Sequence, residues 1–334
     1  MVTELLHGSG EEREESLRRA AELIAEGELV AFPTETVYGL GALATSAEAV
    51  ARVFEAKGRP SDNPLIVHLA SADQIELYAR LTERVNRVAT AFMPGPLTIV
   101  LPSLENIPPI ARAGLPTVAL RVPDHQLALD LIARTGPLVA PSANRSGRPS
   151  PTRAQHVIDD LGGRIGAVLD GGQCAVGIES TVLDLSQREP RILRPGLITP
   201  EDLAPYLGVT PQVAEPIPGV EMRAPASPGT KYRHYAPDIP IRIIEIAENE
   251  EIEDIYLKLN FNPDLSPRFF CSSPEDLEFL HERHVDAVRL DGESLFSEFR
   301  RAEKEGIGVV LVLIRPDEVS DALMNRLQKA STGE

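Results

Sequence analysis

Proline divides this chain into two parts. Ten of the 29 prolines lie between residues 195 and 240. Proline is poorly tolerated inside helices and central strands because it lacks a backbone N–H and fixes φ. Few apolar runs occur there, so the segment is predicted to be an extended linker. We therefore expect a folded domain at residues 1–208, a linker at 209–239 and a second folded domain at 240–334.

The first domain alternates amphipathic helices with short apolar segments. Residues 11–27 place apolar side chains at helical spacing and end at a glycine, a second helix is predicted from an N-cap at Ser46, and a third over residues 71–92. The apolar segments between helices are typical of strands. Because several strands are separated by loops rather than helices, we predict an α/β fold with a twisted mixed sheet.

The second domain repeats a simpler pattern. From Ile241 onward, strand and helix alternate four times in about ninety residues, which predicts a small doubly wound, Rossmann-like α/β domain. No Walker-type or dinucleotide-binding glycine motif is present. The pattern of this domain therefore predicts a fold and no ligand.

The charge balance limits the partners. A formal net charge of −17 argues against general affinity for nucleic acids or anionic membranes, which need an excess of Lys and Arg. The N-terminus lacks the apolar core of a signal peptide, and no run approaches membrane-spanning length. Two distant cysteines, Cys174 and Cys271, suit a reducing compartment. We expect a cytoplasmic protein that acts on no membrane.

In so acidic a chain, a basic loop predicts a local anion site. Lys57 and Arg59 flank Gly58, which allows the two cations to diverge around one ligand, while Pro60 and Pro64 restrict the loop. Fixed charges of this kind need little reorganisation when an anion binds. A basic surface turn explains the same residues equally well.

Other polar residues follow or interrupt apolar strands. Ser142 and Asn144 offer a hydroxyl and an amide that suit phosphate oxygens or a nucleobase, although a side-chain-capped turn is the alternative. Arg121 interrupts an apolar strand, where a cation requires either an ion-pair partner or an anionic ligand. His68 is either a core residue or a ligand contact. The same two interpretations, structural or functional, hold for Ser180 and Arg194.

Taken together, six segments resemble the YrdC-like threonylcarbamoyl-AMP synthases: PTETVYGL at 33–40, KGRP at 57–60, NPL at 63–65, PGP at 94–96, RVP at 121–123 and PSAN at 141–144. This resemblance covers residues 15–205 and implies the YrdC-like twisted mixed sheet. The sequence SPGTKYRHYAP at 227–237 and the second domain resemble the long, two-domain form of the family. Thr230 departs from that form, where methionine is expected.

The resemblance implies an activity, namely synthesis of L-threonylcarbamoyladenylate from L-threonine, bicarbonate or CO2, and ATP with Mg2+, releasing pyrophosphate. The product would pass to a separate threonylcarbamoyl transferase complex that modifies tRNA next to the anticodon, so stable nucleic-acid binding is not expected here. A carbamate oxygen attacks the α-phosphorus of ATP in this chemistry. No protein nucleophile is required, which fits the absence of a Ser-His-Asp or Cys-His arrangement.

The same resemblance assigns residues. The catalytic residues would be Lys57, Arg59, Ser142 and Asn144. Threonine would be bound by Thr36, His68, Arg121 and Ser180. ATP would be bound by Arg59, Asn63, Thr117, Ser142, Asn144, Ser150, Arg194 and Tyr235. Tyr235 and the linker around it would close over the pocket and exclude water. No protein metal ligands are expected.

Two alternatives are weighed against this activity. An RNA-binding or ribosome-associated module without catalysis is opposed by the acidic charge. Related YrdC-like domains of hydrogenase maturation factors make a carbamoyl adenylate, but those proteins are much longer and rich in cysteine, whereas this chain has two.

Overall fold

The computed structural model of the chain describes residues 2–214, 235–259 and 266–331. It divides into two units, residues 1–146 with 150–232 and residues 147–149 with 233–334. Most of the predicted linker at 209–239 lies outside the described residues. Its role as a lid and the domain boundaries drawn from it therefore stay predictions.

The first unit is built on a mixed sheet. Its strands are β1 (Glu4–His7), β2 (Val30–Phe32), β3 (Gly39–Leu43), β4 (Ile66–His68), β5 (Leu97–Pro102), β6 (Thr117–Arg121), β7 (Leu138–Val139), β8 (Ala167–Asp170), β9 (Thr181–Asp184), β10 (Arg191–Arg194) and β11 (Gln212–Val213). Among the described residues they lie in the order β1-β8-β2-β3-β7-β4-β6-β5-β9-β10-β11. Neighbours β4 and β6 are parallel, whereas β5 and β6 are antiparallel. The predicted mixed α/β sheet is confirmed.

Helices cover the two faces of this sheet unequally. The helices are α1 (Arg13–Ala25), α2 (Ala47–Lys57), α3 (Glu83–Phe92), α4 (Gln126–Thr135), α5 (Ala154–Leu161) and α6 (Pro200–Leu207). Apolar residues of α2, α3, α5 and α6 pack with one face in the largest core cluster. On the other face, α1 and α4 pack over β8, β2 and β7. Beyond them, β4, β6, β5 and β9 form a separate small cluster made of strand residues.

The predicted helix over residues 71–92 is wrong as a single element. A 3-10 turn covers Ala72–Leu77, and α3 begins only at Glu83. The physical reason is a new N-cap, because Thr82 is extended and its side chain accepts the N–H of Val85. The predicted cap at Ser46 is confirmed, since its hydroxyl accepts the N–H of Ala49 at 3.2 Å.

The second unit has a parallel sheet in the order β12-β15-β13-β14. Its elements alternate as β12 (Ile241–Glu245), α7 (Ile252–Lys258), β13 (Pro267–Cys271), α8 (Pro274–Glu282), β14 (Ala287–Arg289), α9 (Leu295–Lys304), β15 (Val309–Ile314) and α10 (Asp321–Ala330). A 3-10 turn at Pro316–Glu318 precedes α10. Within the described residues, none of the helices combines the length and apolar composition needed to cross a bilayer.

Candidate active site

One face of the sheet gathers most of the predicted polar residues. Side chains alternate between faces along a strand, and residues opposite each other in neighbouring strands share a face. His68 pairs with Arg121, Val100 with Ala119, and Thr98 with Val182. Ala119 and Arg121 are two residues apart on β6, as Thr98 and Val100 are on β5, so all six side chains lie on one face. The apolar floor of that face is Ile66, Val100, Ala119 and Val182, with Leu193 packed against it. The polar residues that rise beside this floor are His68, Arg121, Thr98, Thr117, Ser180 and Arg194.

Arg121 lies at the end of β6 and has the ion-pair partner that was one of the two possibilities left open by the sequence. Its Nε donates to the carbonyl of Gly95 at 3.2 Å. Its Nη2 lies 2.8 Å from Oε1 of Glu35, and both side chains are buried. The two groups face each other without the alignment of a hydrogen bond, so both Glu35 oxygens lack hydrogen-bond partners. The pair combines one positive and one negative group, and the Glu35 oxygens can still accept hydrogen bonds. Unused acceptors are unusual for buried groups and typical of a binding site.

The loop between β2 and β3 carries Glu35 to this face. Thr34 organises the loop, because its hydroxyl lies 2.8 Å from that of Thr36 and donates to the carbonyl of Val37 at 2.7 Å. The segment 176–177 fixes it from the other side through N–H groups that bind the carbonyls of Glu35 and Thr36. Thr36 is thus fully buried beside the pair of Glu35 and Arg121.

His68 is neutral in this environment. Burial, and secondly the cation of Arg121, lower the pKa of His68 from 6.5 to about 3. Its ring lies edge-on to Phe32, with centroids 6.3 Å apart, and its Nδ1 is buried without a hydrogen-bond partner. A neutral imidazole with an unused nitrogen is able to bind a hydroxyl or an amine of a ligand.

The depressed pKa of His68 predicts acid lability. In the unfolded chain His68 binds a proton near pH 6.5, whereas in the folded chain it binds one only near pH 3. The free energy of unfolding therefore falls by about 1.4 kcal/mol for each pH unit between these two values as the pH is lowered. Between pH 7 and pH 5 we expect His68→Gln to lose about 2 kcal/mol less unfolding free energy than the parent chain. Urea unfolding at both pH values measures this. His7→Gln, at an exposed position of β1, is the control, and equal losses in parent and His68→Gln would contradict the prediction.

Lys57 ties two of the predicted catalytic segments together. Its Nζ donates to the carbonyls of Ser142 and Asn144, each at 2.5 Å, and its own carbonyl accepts the N–H of Ser146. Burial, followed by the cation of Arg59, lowers the pKa of Lys57 well below its usual value. The two carbonyl oxygens oppose this effect because they stabilise the protonated amine. The sequence predicted that Lys57 belongs to a basic loop that binds an anion. The structure adds that its side chain is buried and holds the loop that carries Ser142 and Asn144.

Arg59 shapes the loop that follows. Gly58 ends α2 in a left-handed conformation with φ of 61°, which glycine adopts readily after the last residue of a helix. Arg59 is half-buried, and its guanidinium donates to the carbonyls of Asn63 and Pro64 at 3.3 and 3.1 Å. Asn63 is buried, and neither its amide oxygen nor its nitrogen has a hydrogen-bond partner. An unpaired buried amide is costly, so Asn63 is a strong candidate ligand contact.

Thr117 lies at the opposite end of β6 from Arg121. The parallel pairing of β4 and β6 begins at Ile66↔Ala119, so Thr117 precedes it on β6 as Asn63 precedes it before β4. Four residues of strand separate Thr117 from Arg121, a distance of about 13 Å. The predicted threonine and nucleotide residues on β6 are therefore at two ends of one strand.

Ser180 is held in place by Arg194. The guanidinium donates to the Ser180 carbonyl at 3.0 and 3.1 Å and to its hydroxyl at 3.2 Å, and that hydroxyl lies 2.8 Å from Oγ1 of Thr98. The backbone after Arg194 lies close to that after Ser180, and only glycine fits there, because a Cβ on Gly196 would lie 2.3 Å from the backbone nitrogen of Thr181. The sequence left a structural role open for Arg194, and these contacts to Ser180 are structural.

The remaining predicted residues are placed separately. Ser150 is buried and donates to Oε1 of Glu179 at 2.5 Å. Tyr235 belongs to the second unit, where its ring stacks on Phe296 with centroids 5.4 Å apart and lies 5.6 Å from the guanidinium carbon of Arg326. Its predicted contact with nucleotide stays a prediction.

Sequence reasoning missed Glu35 and Thr98. The signal for Glu35 was available, since a carboxylate between two threonines directly after a buried strand is costly unless paired. Thr98 gave no comparable signal, because a threonine inside a strand is ordinary.

Known proteins match the chain from end to end. A family model described as telomere recombination matches residues 22–196, and one described as threonylcarbamoyl-AMP synthase, C-terminal domain, matches residues 198–332. The threonylcarbamoyl-AMP synthase of Pyrococcus abyssi is 42% identical over 321 residues, with 94% of each chain covered. The chain belongs to the threonylcarbamoyl-AMP synthase family. The threonylcarbamoyl-AMP synthase of Bacillus subtilis is 41% identical over 330 residues, and the match covers 95% of this chain and 93% of that protein.

A solved structure extends this similarity to the fold. The crystal structure of Sua5 from Pyrococcus abyssi in complex with L-threonine superposes with a TM-score of 0.86 at 38% identity, covering 99% of this chain and 98% of that chain. The predicted membership in the long, two-domain form of the threonylcarbamoyl-AMP synthase family is confirmed.

Proposed function

We propose that this enzyme makes L-threonylcarbamoyladenylate from L-threonine, bicarbonate and ATP, with release of pyrophosphate. The observation that carries the proposal is the similarity, over 99% of the chain, to a Pyrococcus abyssi structure that holds L-threonine. Relatives named threonylcarbamoyl-AMP synthase at 41–42% identity support the same reaction. The product serves threonylcarbamoyladenosine formation in tRNA.

Threonine binds at the Arg121 end of the strand face. Arg121 offers a buried cation for the substrate carboxylate, and the neutral ring of His68 and the hydroxyl of Thr36 are available for the hydroxyl and amine. Ser180 presents a hydroxyl whose position Arg194 already fixes. These contacts are proposals for this chain, supported by burial and by the unused hydrogen-bonding capacity at the site.

ATP binds towards the Asn63 end. The carbamate oxygen attacks the α-phosphorus while pyrophosphate leaves, and Lys57 and Arg59 stabilise the negative charge that builds up on the phosphates. Asn63 supplies its unpaired amide to the nucleotide, and Ser142 and Asn144 complete the reaction centre.

We infer that Mg2+ enters with ATP. Mg2+ is usually bound through substrate phosphates, waters and one or two carboxylates, without a dedicated protein cage. The described residues contain no group of three His, Cys, Asp or Glu side chains placed to hold a metal. An Mg2+ ion that is bound mainly through the phosphates of ATP needs no such group.

The product passes to a separate threonylcarbamoyl transferase complex. A labile mixed anhydride must be handed on quickly, and the net charge of −17 opposes retention of tRNA on this enzyme itself. Both cysteines are unpaired and buried, which suits the reducing cytoplasm that we propose as its location.

A direct assay tests the function. Purified protein incubated with threonine, bicarbonate, ATP and Mg2+ is expected to release pyrophosphate only when threonine is present, and to form threonylcarbamoyl-AMP detectable by mass spectrometry. Omitting bicarbonate from degassed buffer is the control and is expected to suppress both signals. Threonine-independent pyrophosphate release without the adenylate would reject the proposal.

A further inference from the structure

Glu35 is the buried acid whose chemistry the assignments above leave unused. It is 8% exposed, lies 2.8 Å from the Arg121 guanidinium, and has no hydrogen-bond partner on either oxygen. A buried carboxylate normally accepts several hydrogen bonds, because leaving them unmade costs free energy. One oxygen of Glu35 is in the ion pair and neither accepts a hydrogen bond, which indicates that a hydrogen-bond donor from a ligand completes the site.

The charge pattern identifies that donor. An α-amino acid is a zwitterion in which an ammonium and a carboxylate are attached to the same carbon. Arg121 and Glu35 present the complementary cation and anion side by side in a buried environment, where such charges interact strongly. With the substrate carboxylate at Arg121, the adjacent ammonium is directed to Glu35.

An ammonium cannot attack CO2, because its nitrogen has no lone pair. Resting on the proposed synthesis of threonylcarbamoyl-AMP, we propose that Glu35 receives the threonine ammonium and takes the proton that the amine must lose before it is carboxylated. Glu35 thus acts as the general base of carbamate formation. It takes no part in the later attack on ATP.

The Glu35 carboxylate takes one proton from the ammonium, which leaves a neutral amine and a carboxylic acid. The amine lone pair forms the N–C bond with CO2 while one C–O π bond breaks onto oxygen. The nitrogen then releases its second proton, giving the carbamate. Bicarbonate supplies the CO2 and leaves a hydroxide, which one of the two protons converts to water, while the other proton reaches solvent.

Among the described residues, Arg121 contacts Glu35, and Cys174 and His125 interact with it electrostatically. Arg121 forms the ion pair that orients the carboxylate. Burial, with a smaller effect of Glu35, raises the pKa of Cys174 to about 12, so this thiol stays protonated and does not compete as a base. Burial lowers the pKa of His125, while Glu35 and then Asp124 act in the opposite direction. His125 is half-exposed, and its Nδ1 is buried without a hydrogen-bond partner.

The test compares two directions of the reaction in Glu35→Gln. The amide keeps the shape of the side chain but accepts no proton. At neutral pH we expect forward turnover at saturating threonine to fall about 10²-fold, the usual loss for a general base. Pyrophosphorolysis of supplied threonylcarbamoyl-AMP to ATP needs no ammonium deprotonation, and is expected to stay within about threefold of the parent enzyme. That retained activity also shows that the variant is folded.

The pH profile adds a readout that a structural role would not change. Without its base, Glu35→Gln depends on free amine, so its forward rate is expected to rise by up to about tenfold per pH unit and approach the parent at high pH. Glu55→Gln, an exposed position on α2, is the matched control and is expected to follow the parent throughout. Equal losses in both directions, or a loss that does not vary with pH, would overturn the role of Glu35. If the parent enzyme itself makes no threonylcarbamoyl-AMP, the proposed function fails instead, and the two failures are distinguishable.

Discussion

Lys57→Ala is expected to lower the turnover of threonylcarbamoyl-AMP synthesis by about 10²- to 10³-fold, the range observed when one fixed donor to a developing charge is removed. Two effects combine. The variant loses a cation at the phosphates, and it frees the carbonyls of Ser142 and Asn144, which the ammonium holds at 2.5 Å. Pyrophosphate release at saturating threonine and ATP measures the change.

Matched variants separate these two effects. Lys258→Ala removes an exposed lysine from α7 of the second unit and is expected to leave turnover unchanged. Arg59→Ala keeps the Lys57 bonds intact and is expected to lower turnover at least about tenfold, because it removes the second cation and its bonds to the Asn63 and Pro64 carbonyls. Lys57→Ala turnover within twofold of the parent, with normal thermal stability, would remove Lys57 from the reaction centre.

Arg121→Met is expected to destabilise the protein by about 3–5 kcal/mol, because it leaves the buried Glu35 carboxylate without its cation. It is also expected to abolish threonine binding, since the substrate carboxylate loses its partner. Urea unfolding measures the first effect and isothermal calorimetry with threonine the second. Methionine is chosen because its unbranched chain fills much of the arginine stem volume.

The double variant Arg121→Met with Glu35→Gln distinguishes stability from binding. Removing both charges leaves no isolated ion in the site, so we expect the double variant to recover most of the lost stability. Threonine binding is not expected to recover, because neither charge of the zwitterion then has a partner. A single Arg121→Met variant that unfolds at the parent's urea concentration would show that the pair does not contribute to stability as argued.

The order of strands explains why the site could be only partly predicted. Period-two alternation places residues of one strand on one face, and this was accessible from the sequence. Which strands are neighbours was not, because β6 lies between β4 and β5 although it follows both along the chain. His68 and Arg121 thus became opposite residues through a crossover that no local pattern encodes.

The sequence by itself determined the α/β class, the N-cap at Ser46 and the six segments that carry the family resemblance, because these depend on local chemistry and spacing. It could not decide whether Arg121 pairs within the protein or with a ligand. The tertiary structure showed that Glu35, 86 residues away along the chain, is its neighbour at 2.8 Å. It also showed that Lys57 is buried against two carbonyls rather than solvated. Burial and long-range pairing arise only when distant segments pack together, and these decide the charge, the pKa and the unused hydrogen-bonding capacity of each group.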